Sequence, residues 1–229
     1  MIQALLIRFY TQRLKRKTSS LLLFLPLLFQ IFLSGCSPQI YSKIDHKQLS
    51  LSAELLKKDG IAFMTPSTVT GQEEEKQAVA FIFYNTLERE RGDLKILSLP
   101  ETLSAINKAG LTDEYEYMYR DYKDTGVFKP EILRKIAQAT HTRYLAQLKL
   151  AGFKQGSSGR LGVFGLRLIE TKKATLRLFF QIWDAETGEI AWEALQELNW
   201  SEEMVSENVI TLQTVIGEAA KNIGTRLPL

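Results

Sequence analysis

Leu176-Arg177-Leu178-Phe179-Phe180-Gln181-Ile182-Trp183-Asp184-Ala185-Glu186-Thr187-Gly188-Glu189-Ile190-Ala191-Trp192 is the stretch that decides the fold. Leu176, Leu178, Phe180 and Ile182 alternate with Arg177 and Gln181, which is the period-2 pattern of a strand with one buried face. Asp184-Ala185-Glu186-Thr187-Gly188 has turn chemistry, with glycine last. The alternation resumes at Ile190, Trp192, Ala194, Gln196, Leu198 and Trp200. Upstream, Tyr144, Ala146, Leu148 and Leu150 alternate with Gln147 and Lys149. Strands are therefore expected at 143–153, 174–184 and 190–200, joined as an antiparallel meander.

Working toward the N-terminus, the period changes. Pro130 opens a helix marked by Ile132, Leu133, Ile136, Ala137 and Thr140, because proline is tolerated where no N–H partner is needed. Residues 101–108 form a helix closed by Ala109-Gly110. Leu94 to Leu99 reads as a strand, and 72–91 as a helix whose Glu73, Glu74 and Glu75 suit its positive end. Ile61-Ala62-Phe63-Met64 is a short buried strand stopped by Thr65-Pro66. Downstream of the meander, a final helix is expected from Ser201, carrying a stripe of Val205, Val209, Leu212, Ile216, Ala219, Ile223 and Leu227. The order β-α-β-α-α-β-β-β-α implies one α+β domain over 60–229, a mixed sheet with helices packed on it.

The first 35 residues read differently. Arg8, Arg13, Lys15, Arg16 and Lys17 make a basic stretch without acidic residues, followed by the 13-residue apolar run Leu21–Leu33 and the small residues Ser34 and Gly35. That is the three-part form of a secretory signal. Thirteen residues fall short of the ~20 a membrane-spanning helix needs. Leu33-Ser34-Gly35-Cys36 resembles the lipobox of a bacterial lipoprotein precursor, and Cys36 is the only cysteine of the chain. The resemblance implies removal of 1–35 and a diacylglyceryl group plus an acyl chain on Cys36. Ser37 in place of aspartate implies export to the outer membrane, periplasmic face. Each buried methylene contributes about 0.8 kcal/mol, so two or more chains anchor a protein durably. Residues 36–59 are expected to be the lipidated end and a polar tether, with a short helix near Leu51, Leu55 and Leu56.

Loss of the signal takes Lys+Arg from 29 to 24 against 26 Asp+Glu, so net charge goes from +3 to −2. The basic excess leaves with the signal, and nothing points to nucleic acid.

Asp184, Gly188 and Trp192, in the frame Asp-x-x-x-Gly followed by tryptophan on the return strand, resemble the hairpin of a lipoprotein superfamily. It includes the curli-secretion channel lipoprotein, the outer-membrane activator of a penicillin-binding protein, and the N-terminal domain of the Tol-system propeller protein. The resemblance spans roughly 60–229 and implies binding and assembly, not chemistry. One departure is the Gly-rich insertion 154–173, expected to be a long surface hairpin or flap. Phe164, Leu166 and Leu168 on one face of it also fit a membrane hairpin, but a channel of the curli type needs two hairpins per subunit, and 101–128 is helical and polar.

Tyr115, Met118, Tyr119 and Tyr122 share one helical face. Tyr115, Tyr119 and Tyr122 are candidates for a partner-binding surface; the other reading is that this face packs on the domain. His46 and His141, the two histidines, have no second ligand at metal spacing. Ser157-Ser158 does not form a nucleophile elbow. The expectation is a lipid-anchored, non-catalytic accessory, adaptor or regulator of an envelope complex, bound to the membrane and to an envelope protein, without metal or other cofactor. A ring-forming secretion subunit and an envelope hydrolase are the alternatives.

Overall fold

The computed structural model describes residues 38–163, 166–204 and 209–229. Leu33, Ser34, Gly35, Cys36 and Val205 lie outside them, as do the side chains of the apolar stretch 163–169. Among the described residues, a seven-stranded sheet runs β1 (Gln39–Gln48), β7 (Glu189–Met204), β6 (Leu166–Asp184), β5 (Tyr144–Val163), β2 (Ile61–Phe63), β4 (Ile96–Leu97), with β3 (Ser67–Thr68) also on β5. β2 pairs in parallel with β4 and β5, while β5, β6, β7 and β1 are mutually antiparallel. The helices are α1 (Ala53–Asp59), α2 (Glu73–Glu90), α3 (Leu99–Lys108), α4 (Thr112–Thr125), α5 (Pro130–Thr140) and α6 (Leu212–Gly224). The sheet is open and mixed, and the expected α+β class with its three-strand meander is what forms.

The two faces follow from alternation. Ile61 and Phe63 of β2, Tyr144, Ala146 and Leu148 of β5, and Leu176, Leu178, Phe180 and Ile182 of β6 point into one core, closed by α2 and α6. Phe83 of α2 stacks on Phe180 at 4.9 Å, and Trp192 meets Phe180 edge-on at 6.0 Å. Ala62, Met64, Leu145 and Trp183 point the other way, under α3, α4 and α5.

The structure departs from the sequence reading at five places. Residues 39–48, expected within a polar tether, form β1, paired with β7 from Gln39↔Ser201 to Gln48↔Trp192. As an edge strand it buries little, so only Ile44 packs against the core, and an alternation this weak looks like a polar linker. The strands expected at 143–153 and 174–184 run on through the 154–173 insertion as β5 and β6, so of its two expected forms the long hairpin forms and not a flap, with register shifts near Gly152 and Leu161. The last helix starts at Leu212, not Ser201, and Thr211 caps it by accepting the Thr214 N–H at 3.2 Å. Ser201 to Met204 instead extends β7, where Glu202 stands opposite Lys172; a ladder with opposed charges outweighs one good cap. The strand expected at 94–99 contracts to Ile96–Leu97, since Ser98 and Glu101 form a capping box that begins α3 at Leu99. Finally, the tyrosine-rich part of 101–128 is helical as expected, but as a separate helix, α4, which the order β-α-β-α-α-β-β-β-α did not count.

The Asp184–Gly188 turn is held from both ends. Asp184, 3% exposed, takes two hydrogen bonds from the Arg143 guanidinium, 3.1 Å from Nε and 2.7 Å from Nη2, and one from the Glu186 N–H at 2.9 Å. The hydrogen bond to Asp184, together with its charge, pushes the already high Arg143 pKa further up. Gly188 has φ +79°, and a Cβ there would lie 2.5 Å from Pro130 Cγ. Trp192 is fully buried. The three motif positions therefore brace the fold.

Asp184→Ala is expected to lower unfolding stability by about 2 kcal/mol, because it removes the buried carboxylate that accepts from the Arg143 guanidinium and the Glu186 N–H, while Glu186 still pairs with Arg143. Gly188→Ala is expected to cost about 2 kcal/mol, and clearly more than Gly110→Ala, which shares the left-handed φ (+69°) but faces open space. Urea unfolding of the three variants checks both; equal costs for the two glycines would contradict the Pro130 contact.

Candidate functional site

Parallel strands present their carboxyl ends, and the loops that leave them, to one rim of the sheet, where open α/β sheets place ligands. β2 ends at Phe63. Thr65-Pro66 then breaks the strand, and Ser67–Thr68 returns to pair with Lys149–Leu150. Over this rim lies α4. Its start at Thr112 and its stop at Gly126, with φ +72°, bring Tyr115, Met118, Tyr119 and Tyr122 to the inner face.

The tyrosine hydroxyls make a polar floor. Tyr115 Oη accepts the Thr65 N–H at 2.9 Å and lies 3.0 Å from Thr65 Oγ1. Tyr119 Oη lies 2.7 Å from the Thr65 carbonyl oxygen and 2.9 Å from Gln147 Oε1. Gln147, 1% exposed, donates from Nε2 to Ser67 Oγ and to the Leu148 carbonyl, each at 3.2 Å. The rings are packed: Tyr115 and Tyr119 meet edge-on at 5.0 Å, and Tyr122 stacks on Phe128 at 4.1 Å. Burial pushes the Tyr115 and Tyr122 phenols above their ordinary range and Tyr119 well above it. All three stay protonated at neutral pH, and the Tyr115 and Tyr119 hydroxyls serve as hydrogen-bonding groups.

Above this floor opens a cleft of about 690 Å³. Lys76, Lys123 and Lys149 line it, with Glu116 as the acidic member. Lys76 lies 3.6 Å from Glu73. Lys123 and Lys149 have no ion pair, and the Tyr122 hydroxyl no hydrogen bond, among the described residues. The cleft is thus net cationic on a domain that is net anionic.

A second depression, at the opposite end of the sheet, is lined by Asp59, Arg134, His141, Arg143 and Glu186. Arg143 there lies 2.7 Å from Asp184, 3.1 Å from Glu186 and 3.9 Å from Asp59, Arg134 Nε donates to the Glu186 carbonyl at 3.2 Å, and Lys58 lines it without an ion pair among the described residues. His141 is there as an αL helix cap at φ 53°. His46 sits on β1 with its ring 6.1 Å from Trp192. Among the described residues no three His, Cys, Asp or Glu side chains gather as metal ligands.

The structure thus brings Tyr115, Tyr119 and Tyr122 together at one cleft, while Asp184, Gly188 and Trp192 stand apart from it. Sequence reasoning missed Thr65, Gln147 and the three lysines. Gln147 and Lys149 had registered only as the polar side of a strand, and Thr65 only as a strand stop. A glutamine flanked by apolar neighbours on both sides was the one available signal.

No family model matches the chain, and no curated protein matches it. Solved structures resemble it in chain path. The PelC dodecamer from Paraburkholderia phytofirmans is 13% identical, covering 82% of this chain and 97% of that one, with a TM-score of 0.45. The LpoB C-terminal domain from Salmonella enterica is 13% identical over 63% of this chain and 92% of its own, at 0.32. Lipoprotein GNA1162 from Neisseria meningitidis is 10% identical over 73% and 96%, at 0.33. Among the described residues no helix is long and apolar enough to cross a membrane.

Tyr119→Phe is expected to cost about 1–2 kcal/mol, since it removes the single phenol proton shared between the Thr65 carbonyl and Gln147 Oε1. Tyr122→Phe is expected to stay within about 0.5 kcal/mol. Stability is also expected to fall as pH rises above about 10: unfolded tyrosines lose their protons there while the buried phenols hold theirs, so the unfolded state is favoured. Tyr84 adds to this, its phenol pushed up to about 12 chiefly by its hydrogen bond to Glu88. Urea unfolding across pH checks both; a Tyr119→Phe variant with an unchanged alkaline slope would contradict the burial account.

Proposed function

We propose that this protein is a lipid-anchored accessory protein of a bacterial outer membrane, facing the periplasm and acting by binding rather than catalysis. The observation that carries the reading is the apolar run ending in Leu33-Ser34-Gly35-Cys36, with the sole cysteine at the position that lipidation requires. Loss of the signal also turns the chain from net basic to net acidic.

The start of β1 sharpens how such an anchor would act. Only Ser37 and Pro38 stand between Cys36 and Gln39, a reach of about 10 Å. A lipidated Cys36 would therefore hold the sheet edge against the bilayer instead of trailing it on a long leash. Gln39 pairs with Ser201, Ser201 with Lys173, and Lys173 with Gly156. The first residue of β1 thus lies toward the end of the sheet from which the β5–β6 hairpin projects. In this orientation the hairpin end faces the membrane, and the Asp184–Gly188 turn faces the periplasm.

The test is expression of the full chain and of Cys36→Ala in a double-membraned bacterium, with acyl-chain labelling, membrane fractionation and mass spectrometry. The wild type is expected to begin at Cys36, carry label and sediment with outer membranes. The variant is expected to keep residues 1–35 and carry no label. A labelled or correctly shortened variant would overturn the assignment of Cys36.

A further inference from the structure

We propose that the cleft under α4 is a binding site for a carboxylate-bearing saccharide of one or two rings. The inference does not depend on the lipid anchor. It rests on what the cleft leaves unused and on the chemistry of what it does use.

Three polar groups on this one opening have no partner among the described residues: the ammonium groups of Lys123 and Lys149 and the hydroxyl of Tyr122. They arise from separate parts of the fold, two from α4 and one from β5, so no single helix face explains their convergence. Two unpaired cations at a small cleft, with only Glu116 and the Glu73 partner of Lys76 nearby, favour an anion. Lysine ammoniums on flexible stems suit a carboxylate reached from several directions.

The rest of the lining narrows the anion's type. Thr65, Ser67, Thr68, Tyr115 and Tyr119 line the cleft with hydroxyls, and the buried Gln147 braces Ser67 and Tyr119 from beneath. Each of these hydroxyls can donate and accept, which matches sugar hydroxyls, whereas a purely cationic site would take any small anion. The floor is pre-built: Gln147 is buried, Tyr119 is locked by two contacts under 3 Å, and Phe128 fixes the Tyr122 ring by stacking. A preorganised polar floor binds without paying for side-chain ordering. A peptide is the poorer fit, because β3 is two residues long and offers little backbone to pair with. The volume of about 690 Å³ falls inside the range of small-ligand sites.

The test is isothermal titration calorimetry on the protein purified in nonionic detergent. The probes are digalacturonate, N-acetylneuraminate, digalactose as the uncharged counterpart, and triglutamate as an acidic peptide. At least one acidic sugar is expected to bind, more weakly as salt rises, with digalactose at least about tenfold weaker. Lys123→Gln with Lys149→Gln is expected to weaken binding about tenfold or more, as loss of charge-assisted bonds does. Tyr122→Phe is expected to weaken it about threefold with the melting temperature unchanged. Failure of both acidic sugars to bind, equal binding of digalactose, tighter binding of triglutamate, or insensitivity to the lysine changes would each overturn the proposal.

Discussion

β5 is paired in two senses at once, and the rest of the structure depends on that. On one edge it takes β2 and β3 in parallel, and on the other it takes β6 antiparallel. Arg143, the residue before it, secures the joint: its N–H bonds the Asp59 carbonyl at 3.1 Å, its carbonyl accepts the Ala185 N–H at 3.1 Å, and its guanidinium clamps Asp184. Because that clamp sets where β5 begins, it also sets the register in which Gln147 reaches Ser67 and Lys149 arrives at the cleft. A one-residue slip would turn Gln147 and Lys149 to the opposite face and bury charge in the Phe83–Phe180 core.

The half of the fold with strong alternation was legible before any coordinates. Leu176, Leu178, Phe180 and Ile182 sit where their period places them, and the helix at 130–140 begins at its proline. What escaped were elements whose stability comes from a neighbour. β1 carries one core contact, Ile44, and exists because β7 offers a ladder. The extension of β7 through Met204 exists because β6 continues beside it. A local signal such as Ser201 followed by two glutamates loses to that pairing, since capping acts within one turn and a ladder spans many residues.

The cleft was half legible. The spacing of Tyr115, Tyr119 and Tyr122 placed them on one face, and that face packs on the domain, as one of its two readings had it, with the rings closing a polar opening. Their partners come from residues about 30 to 50 positions away, Thr65 and Gln147, and no local pattern announces such a meeting. The Asp184-x-x-x-Gly188 frame and Trp192 carry structural roles that single-residue geometry explains: a bidentate ion pair, a glycine pressed on Pro130, and a core tryptophan.

The sheet begins at Gln39, so under the proposed lipidation of Cys36 the anchor and the folded domain would be neighbours, and the protein would work at the membrane surface and not at the end of a tether. Native-state amide hydrogen exchange over residues 39–48 measures this directly. The account predicts slow exchange at about every second amide, the pattern of an edge strand paired on one side. Uniformly fast exchange across the segment would contradict it and return these residues to a flexible linker.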